Sequence, residues 1–220
     1  MTPRFTAMSD DPITVARRLL GQRLVRVLDD GMRLAGTIVE VEAYLGAEDR
    51  AAHTFGGRRT PRNESMYLPG GHAYIYFTYG MHHCLNVVCG RKDEGMAVLL
   101  RAIEPTEGLD AMFQRRPKAM VLHDLCSGPA KLAQAMNLDR RLDGVNLLTS
   151  PFLFIERLRS RPVPAASVAI TPRIGLNPKP TASGDWAFRP LRFFIRGNPH
   201  VSRGESVESR TRIRESSGRR

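Results

Sequence analysis

Strand-like runs recur along this chain, and most are separated by turns too short to hold a crossover helix. Gln22–Leu28 and Arg33–Tyr44 meet across Asp29-Asp30-Gly31, a hairpin signature. His72–Thr78, Cys84–Cys89 and Met96–Ile103 follow, punctuated by Tyr79-Gly80 and Arg91–Gly95. Parallel neighbours need a dozen or more connecting residues, so this spacing predicts a mainly antiparallel sheet. Helices are expected around it. Asp11 is the N-cap and Pro12 the first residue of one whose apolar stripe is Ile13, Ala16, Leu19 and Leu20. Others are expected over Thr106–Gln114 and from Ser127 to about Met136, with late strands at Phe152–Leu158, Ser167–Ile170 and Leu191–Ile195. The expectation is a single mixed α+β domain over residues 1–202, with a mainly antiparallel β-sheet core surrounded by helices.

Composition narrows the class. Hydrophobic and charged fractions of 42% and 25% are those of a globular chain, and no apolar run approaches a membrane span. Three cysteines without a CxxC spacing, and an N-terminus without an apolar signal region, lead us to expect a cytoplasmic, reducing setting. The formal charge is +11. Residues 203–220 hold six Arg against three Glu and almost no apolar side chains, so they are expected to form a disordered basic tail. The remainder still carries +8, which fits a surface facing a polyanion and equally fits arginines scattered over a solvated surface.

Three clusters can carry chemistry. Two-residue periodicity over Thr37–Tyr44 puts Ile38, Glu40, Glu42 and Tyr44 on one face, opposite Thr37, Val39, Val41 and Ala43. Carboxylates on the polar face of a half-solvated strand are ordinary. These, however, lead directly into Leu45–Gly71, a polar stretch without periodicity, and loops of that length are usually functional. Secondly, four of the five tyrosines fall within Tyr67–Tyr79. Tyr74 and Tyr76 share one strand face, with Ile75 and Phe77 expected on the core side. Tyrosines on strands commonly just stabilise sheets; a Tyr79-Gly80-Met81 turn in a basic protein also suits a wedge between base pairs. Thirdly, the loop arginines Arg58, Arg59 and Arg62 suit phosphate contacts as well as plain solvation. The six histidines show no metal-ligand spacing, and no phosphate-loop or nucleophile-elbow motif occurs. No metal or other cofactor is therefore expected.

The stretch Gly36–Gly90, with its EVEAY, AAH and YIYFTYGM strings, closely resembles the 3-methyladenine (alkyladenine) DNA glycosylase family. Val98–Ala102, the LCSGPAKL run at Leu125–Leu132 and the PLRFFIRGNPHVS run at Pro190–Ser202 extend the likeness over roughly Phe5 to Ser202. The resemblance implies a single mixed α/β domain around an antiparallel sheet, working on damaged double-stranded DNA without a metal. By that resemblance Glu42 positions and deprotonates the attacking water, with Arg101 beside it. Tyr44, Tyr76 and His53 line the base pocket, and Asn86 hinders normal guanine. Tyr79, with Met81, enters the DNA as the wedge. Arg58, Arg62 and Lys131 are expected at phosphates, Glu40 as a structural residue, and the protein as a monomer. A non-catalytic nucleic-acid-binding module, and an acid-pair hydrolase using Glu40 and Glu42 on free nucleosides, are the alternatives from other classes.

Overall fold

In the computed structural model the described residues are 10–78 and 80–202. The expected tail and the expected wedge Tyr79 thus lie outside them. Helix α1 (Pro12–Leu19) starts where the sequence places it. The Asp11 carboxylate accepts hydrogen bonds from the backbone N–H groups of Ile13 and Thr14 at 2.9 and 3.0 Å, a cap worth about 1 kcal/mol. Its inner side packs Val15, Ala16 and Leu19 onto the sheet.

The sheet contains β1 (Arg23–Val27), β2 (Arg33–Tyr44), β3 (Ala73–Thr78), β4 (His82–Cys89), β5 (Met96–Glu107), β6 (Leu153–Glu156), β7 (Val168–Thr171) and β8 (Arg192–Ile195). Every pairing is antiparallel. The main path runs β3-β4-β5-β2-β1-β6, with β8 bridging β2 and β7. Strand β2 is the spine. One edge pairs with β5 from Ala35 to Tyr44, while the other pairs with β1 over Arg33–Thr37 and then with β8 over Glu40–Glu42. That change of partner curls the sheet, and β2 carries irregularities at Ala35/Gly36 and between Ile38 and Val41. Helices α2 (Leu109–Arg115) and α3 (Pro129–Ala135) pack with α1 around one continuous core that includes Leu19, Ile38, Leu85, Leu100, Ile103 and Leu132. This is the expected single α+β domain. No helix among the described residues is long and apolar enough to cross a membrane. The three cysteines are buried and free.

Three local expectations need correction. Ile38 does not share the acids' face: the bulge that follows it returns it to the core beside Val41 and Ala43. Phe77 is 43% exposed and rests on the His83 ring, because the β3–β4 hairpin runs on past the core layer that buries Ile75. Strand β5 continues through Pro105 to Glu107, so α2 begins three residues later than expected. Proline is accommodated there because β4 pairs with β5 only as far as Leu99, leaving one partner strand. The other boundaries differ by a residue or two, within ordinary fraying.

The stretch 45–71 is ordered by polar side chains rather than by long elements. Three short 3-10 turns (Gly46–Glu48, Phe55–Gly57, Glu64–Tyr67) are tied by buried Asp49 and Asn63. The Asn63 amide donates to the carbonyls of His53 and Arg58, and its oxygen accepts the Thr60 N–H. A long connection thereby becomes a fixed wall, and that wall carries His53.

Candidate active site

The end of β2 delivers two fully buried carboxylates, Glu40 and Glu42, on one strand face. Arg101 reaches across from β5 and spans both, its Nε 3.0 Å from Glu40 and an Nη 3.2 Å from Glu42. Beyond this shared cation their surroundings diverge. Glu40 Oε1 also accepts from Arg192 Nε at 2.7 Å and Ser202 Oγ at 2.8 Å, and Oε2 from the Ser202 N–H at 2.6 Å. Glu42 has fewer partners: the Ile174 N–H at 2.7 Å on Oε1 and the Tyr44 hydroxyl at 3.0 Å on Oε2. Each carboxylate oxygen accepts about two hydrogen bonds, so among the described residues Glu42 Oε2 retains an uncommitted lone pair; Glu40 Oε2 does too, but its one donor is the Ser202 backbone N–H rather than an aromatic hydroxyl. Burial, the largest influence, pushes the Glu42 pKa above the usual carboxylate range despite Arg101, the Ile174 N–H and the Tyr44 hydroxyl.

Tyr44, Arg101 and Ile174 form part of the wall of a cavity of about 370 Å³. Glu42 lies just behind that wall. Other lining residues include His53, Tyr74, Tyr76, Cys84, Asn86 and Leu99. The aromatic set is packed, with Tyr74 and Tyr76 stacked at 5.4 Å. His53 meets Tyr76 edge-on, at 4.6 Å and 77°, and its Nδ1 shares a 2.7 Å hydrogen bond with the Tyr74 hydroxyl. Over a third of His53 faces solvent, yet the protein around its ring, followed by Arg62 and Arg58, lowers its pKa. A neutral imidazole is thereby favoured. The Asn86 amide donates to the Tyr74 carbonyl at 3.1 Å, which fixes the direction of its amide.

Tyr44, His53, Tyr76, Asn86 and Arg101 thus converge on one cavity, with Glu42 behind it. The remaining expected residues surround it. Arg58 and Arg62 line an adjoining cavity of about 450 Å³ that shares Ala51, His53 and Tyr74 with the first. Lys131 lies in another, beside Ser127, Ser202 and Arg101. Met81 is 69% exposed at the end of the β3–β4 hairpin, next to Gly80 at φ +69°. Arg59, by contrast, is bound to Glu64 and Asp93 and lies over the Tyr67 ring, so it is already engaged.

Several important residues went unnoticed in the sequence. Ile174 and Leu176 line the cavity from the segment after β7. Arg173 is wholly buried between Asp49 (2.5 and 2.9 Å), the Ala43 carbonyl and the Tyr44 ring. A lone arginine between proline and isoleucine carries no sequence signal of such burial. Cys84 and Leu99 could have been found, since each lies two positions from an expected site residue on the same strand.

The sequence profile of the methylpurine-DNA glycosylase family matches residues 6–199. The chain is 45% identical over 202 residues to the DNA-3-methyladenine glycosylase of Homo sapiens, and 44% identical to that of Mus musculus. These matches cover 88% of this chain but only 65% and 59% of the relatives, so it spans about six-tenths of their length. A Clostridium acetobutylicum protein provisionally named 3-methyladenine DNA glycosylase is 42% identical, with 88% of this chain and 94% of that protein covered. Profile and relatives agree over nearly all the described residues: the chain belongs to the methylpurine-DNA glycosylase family.

Proposed function

We propose that this protein is a monofunctional DNA glycosylase that removes alkylated or deaminated purines from double-stranded DNA, leaving an abasic site for base excision repair. Family membership supports the reaction class. The observation that carries the chemistry is Glu42, a buried carboxylate with an uncommitted lone pair, held by Arg101, Tyr44 and Ile174 at the wall of an aromatic cavity.

A purine stacked in a duplex cannot reach that cavity, so the nucleotide must rotate out at a cost of a few kcal/mol, least at damaged pairs. The hairpin end with Tyr79 and the exposed Met81 occupies the vacated stack. Arg58, Arg62 and Lys131 contribute sequence-independent phosphate affinity. Within the cavity, Tyr44, Tyr76 and His53 offer π faces, and a cationic alkylpurine gains roughly 0.5–2 kcal/mol from such contacts. Asn86, its amide directed by the Tyr74 carbonyl, obstructs the exocyclic amino group of normal guanine.

The C1′–N bond breaks through an oxocarbenium-like sugar to which water adds; a cationic alkylpurine leaves as the neutral base, and a neutral purine leaves with a proton taken from solvent. Glu42 accepts a proton from water through its free lone pair and stabilises the developing sugar cation. Arg101 balances two carboxylates and favours the ionised state of Glu42. The described cavity lining contains no lysine to form a Schiff base with the sugar, which supports simple hydrolysis. A nucleoside hydrolase with an acid pair is disfavoured because Glu40 is held by two arginines and by both donors of Ser202.

The test is base release from duplex oligonucleotides carrying hypoxanthine or ethenoadenine, and from methylated genomic DNA, with Glu42→Gln in parallel. Release by the wild type and not by a variant that still binds lesions is expected. No release from any substrate, or equal loss of binding and release in the variant, would overturn the proposal.

A further inference from the structure

Tyr44 is engaged on three sides: its hydroxyl is bound to Glu42, its ring lines the base cavity, and the Arg173 guanidinium lies over the ring at 4.5 Å. Arg173 does not line that cavity. It is wholly buried behind Tyr44, pinned by two bonds to Asp49 and one to the Ala43 carbonyl. Asp49 in turn accepts the Leu45 and Ala51 N–H groups, so the same pair anchors the segment leading to His53. The next residue after Arg173 supplies the N–H that holds Glu42.

An aromatic ring attracts a cation through the negative potential of its π faces. A guanidinium on one face draws that density toward itself and leaves less for a second cation on the other. Asp49 compensates the guanidinium charge as seen from a distance, but it does not restore the ring's far face. Resting on the base-release reading above, we propose that Arg173 is a specificity-determining residue acting through Tyr44. By occupying one face of the ring, it weakens the pocket's preference for cationic purines and so brings neutral lesions within range of the same site. It touches neither base nor sugar and is a positioning residue rather than a catalytic one.

The proposal concerns a ratio, and a ratio separates it from simple structural support. Arg173→Met combined with Asp49→Asn removes the cation without leaving a buried carboxylate unpaired. Single-turnover release is measured from duplexes bearing 7-methylguanine, which is cationic, and hypoxanthine, which is neutral. The expected result is a rise of about three- to tenfold in the rate ratio of 7-methylguanine to hypoxanthine, a fraction of one cation–π contact. Equal loss on both lesions, an unchanged ratio or a fall would overturn the proposal. Should circular dichroism show the double variant unfolded, Arg173→Lys decides. Its compact ammonium keeps the Asp49 charge pair but loses planar stacking on the ring, so a smaller rise is expected and a constant ratio is again fatal. A wild type that releases neither base would instead sink the glycosylase reading itself.

Discussion

Glu40 and Glu42 lie two residues apart on the same strand, share Arg101 and are equally buried, yet they occupy two different kinds of region. Around Glu40, β2, β5, β8 and the segment ending at Ser202 close into a clamp in which two arginines and both donors of Ser202 hold the carboxylate. Around Glu42 the packing stops at the wall of the aromatic cavity, and one arginine, one backbone N–H and the Tyr44 hydroxyl hold it. A buried carboxylate clamped by two cations stabilises a particular arrangement of chain. One with a single cation beside it, at the wall of a cavity, costs stability and is available for proton transfer. Sequence position and burial do not distinguish the two residues; the identity of their partners and the cavity beside Glu42 do.

Opposite substitution phenotypes would establish that contrast. Glu42→Gln is expected to lower single-turnover base release by about 10²–10⁴-fold, the usual share of a general base, without lowering the melting temperature. Glu40→Gln should leave Arg101 and Arg192 facing a neutral amide, and breaking buried pairs costs about 3–5 kcal/mol. In a domain of this size that is a drop of roughly 10 °C, read by thermal denaturation. Its folded fraction should keep base release within about tenfold of wild type. An unstable Glu42→Gln, or a stable but inactive Glu40→Gln, would break the distinction.

Titration supplies a finer test. The folded pKa of Glu42 lies above its unfolded value, so folding favours its protonated form. Its ionisation therefore costs stability above the folded pKa. The cost shrinks as pH falls through that value and vanishes below the unfolded one. The melting temperature of Glu42→Gln should accordingly exceed that of wild type at pH 7, with the gap closing toward pH 4. Catalysis runs the other way, since only the ionised form accepts a proton. The acid limb of the rate profile should sit above the ordinary carboxylate range, and Arg101→Gln should move it higher still by removing the cation that lowers the Glu42 pKa. An acid limb at an unperturbed carboxylate value would contradict the raised Glu42 pKa.

Legibility in the sequence follows the range of the interactions. Asp11-Pro12 at the start of α1 and Asp29-Asp30-Gly31 between β1 and β2 are local devices, and both appear in the structure as read. Pro105-Thr106 resembles a helix start locally and remains in β5 because of which strands flank it, a tertiary circumstance. His53, Tyr74 and Tyr76 were legible because β3 and the stretch 45–71 concentrate unusual residue types and strings, and Tyr44 because it closes the EVEAY string of β2. Arg173, Arg192 and Ser202 were not, because their role depends on partners 124, 152 and 162 residues distant in the chain. The bulge after Ile38 was equally silent, since alternation alone gives no sign of the residue at which a strand changes partner.

The smallest expected effect probes how completely the clamp is separated from the cavity. Ser202→Ala removes one of the three donors on Glu40 Oε1, together with a long 3.3 Å contact to Arg101. The Ser202 backbone N–H on Oε2 is untouched, as are both arginine bonds. A net hydrogen bond to a charged group is worth about 1.5–3 kcal/mol, and the remaining donors hold the loss near the lower end. A fall of a few degrees in melting temperature is expected, with base release within about twofold of wild type, because Arg101 keeps both carboxylates and so keeps its place beside Glu42. A tenfold loss of release at unchanged stability would mean that Ser202 sets the position of Arg101 directly. The clamp would then be a second layer of the active site instead of a separate structural region.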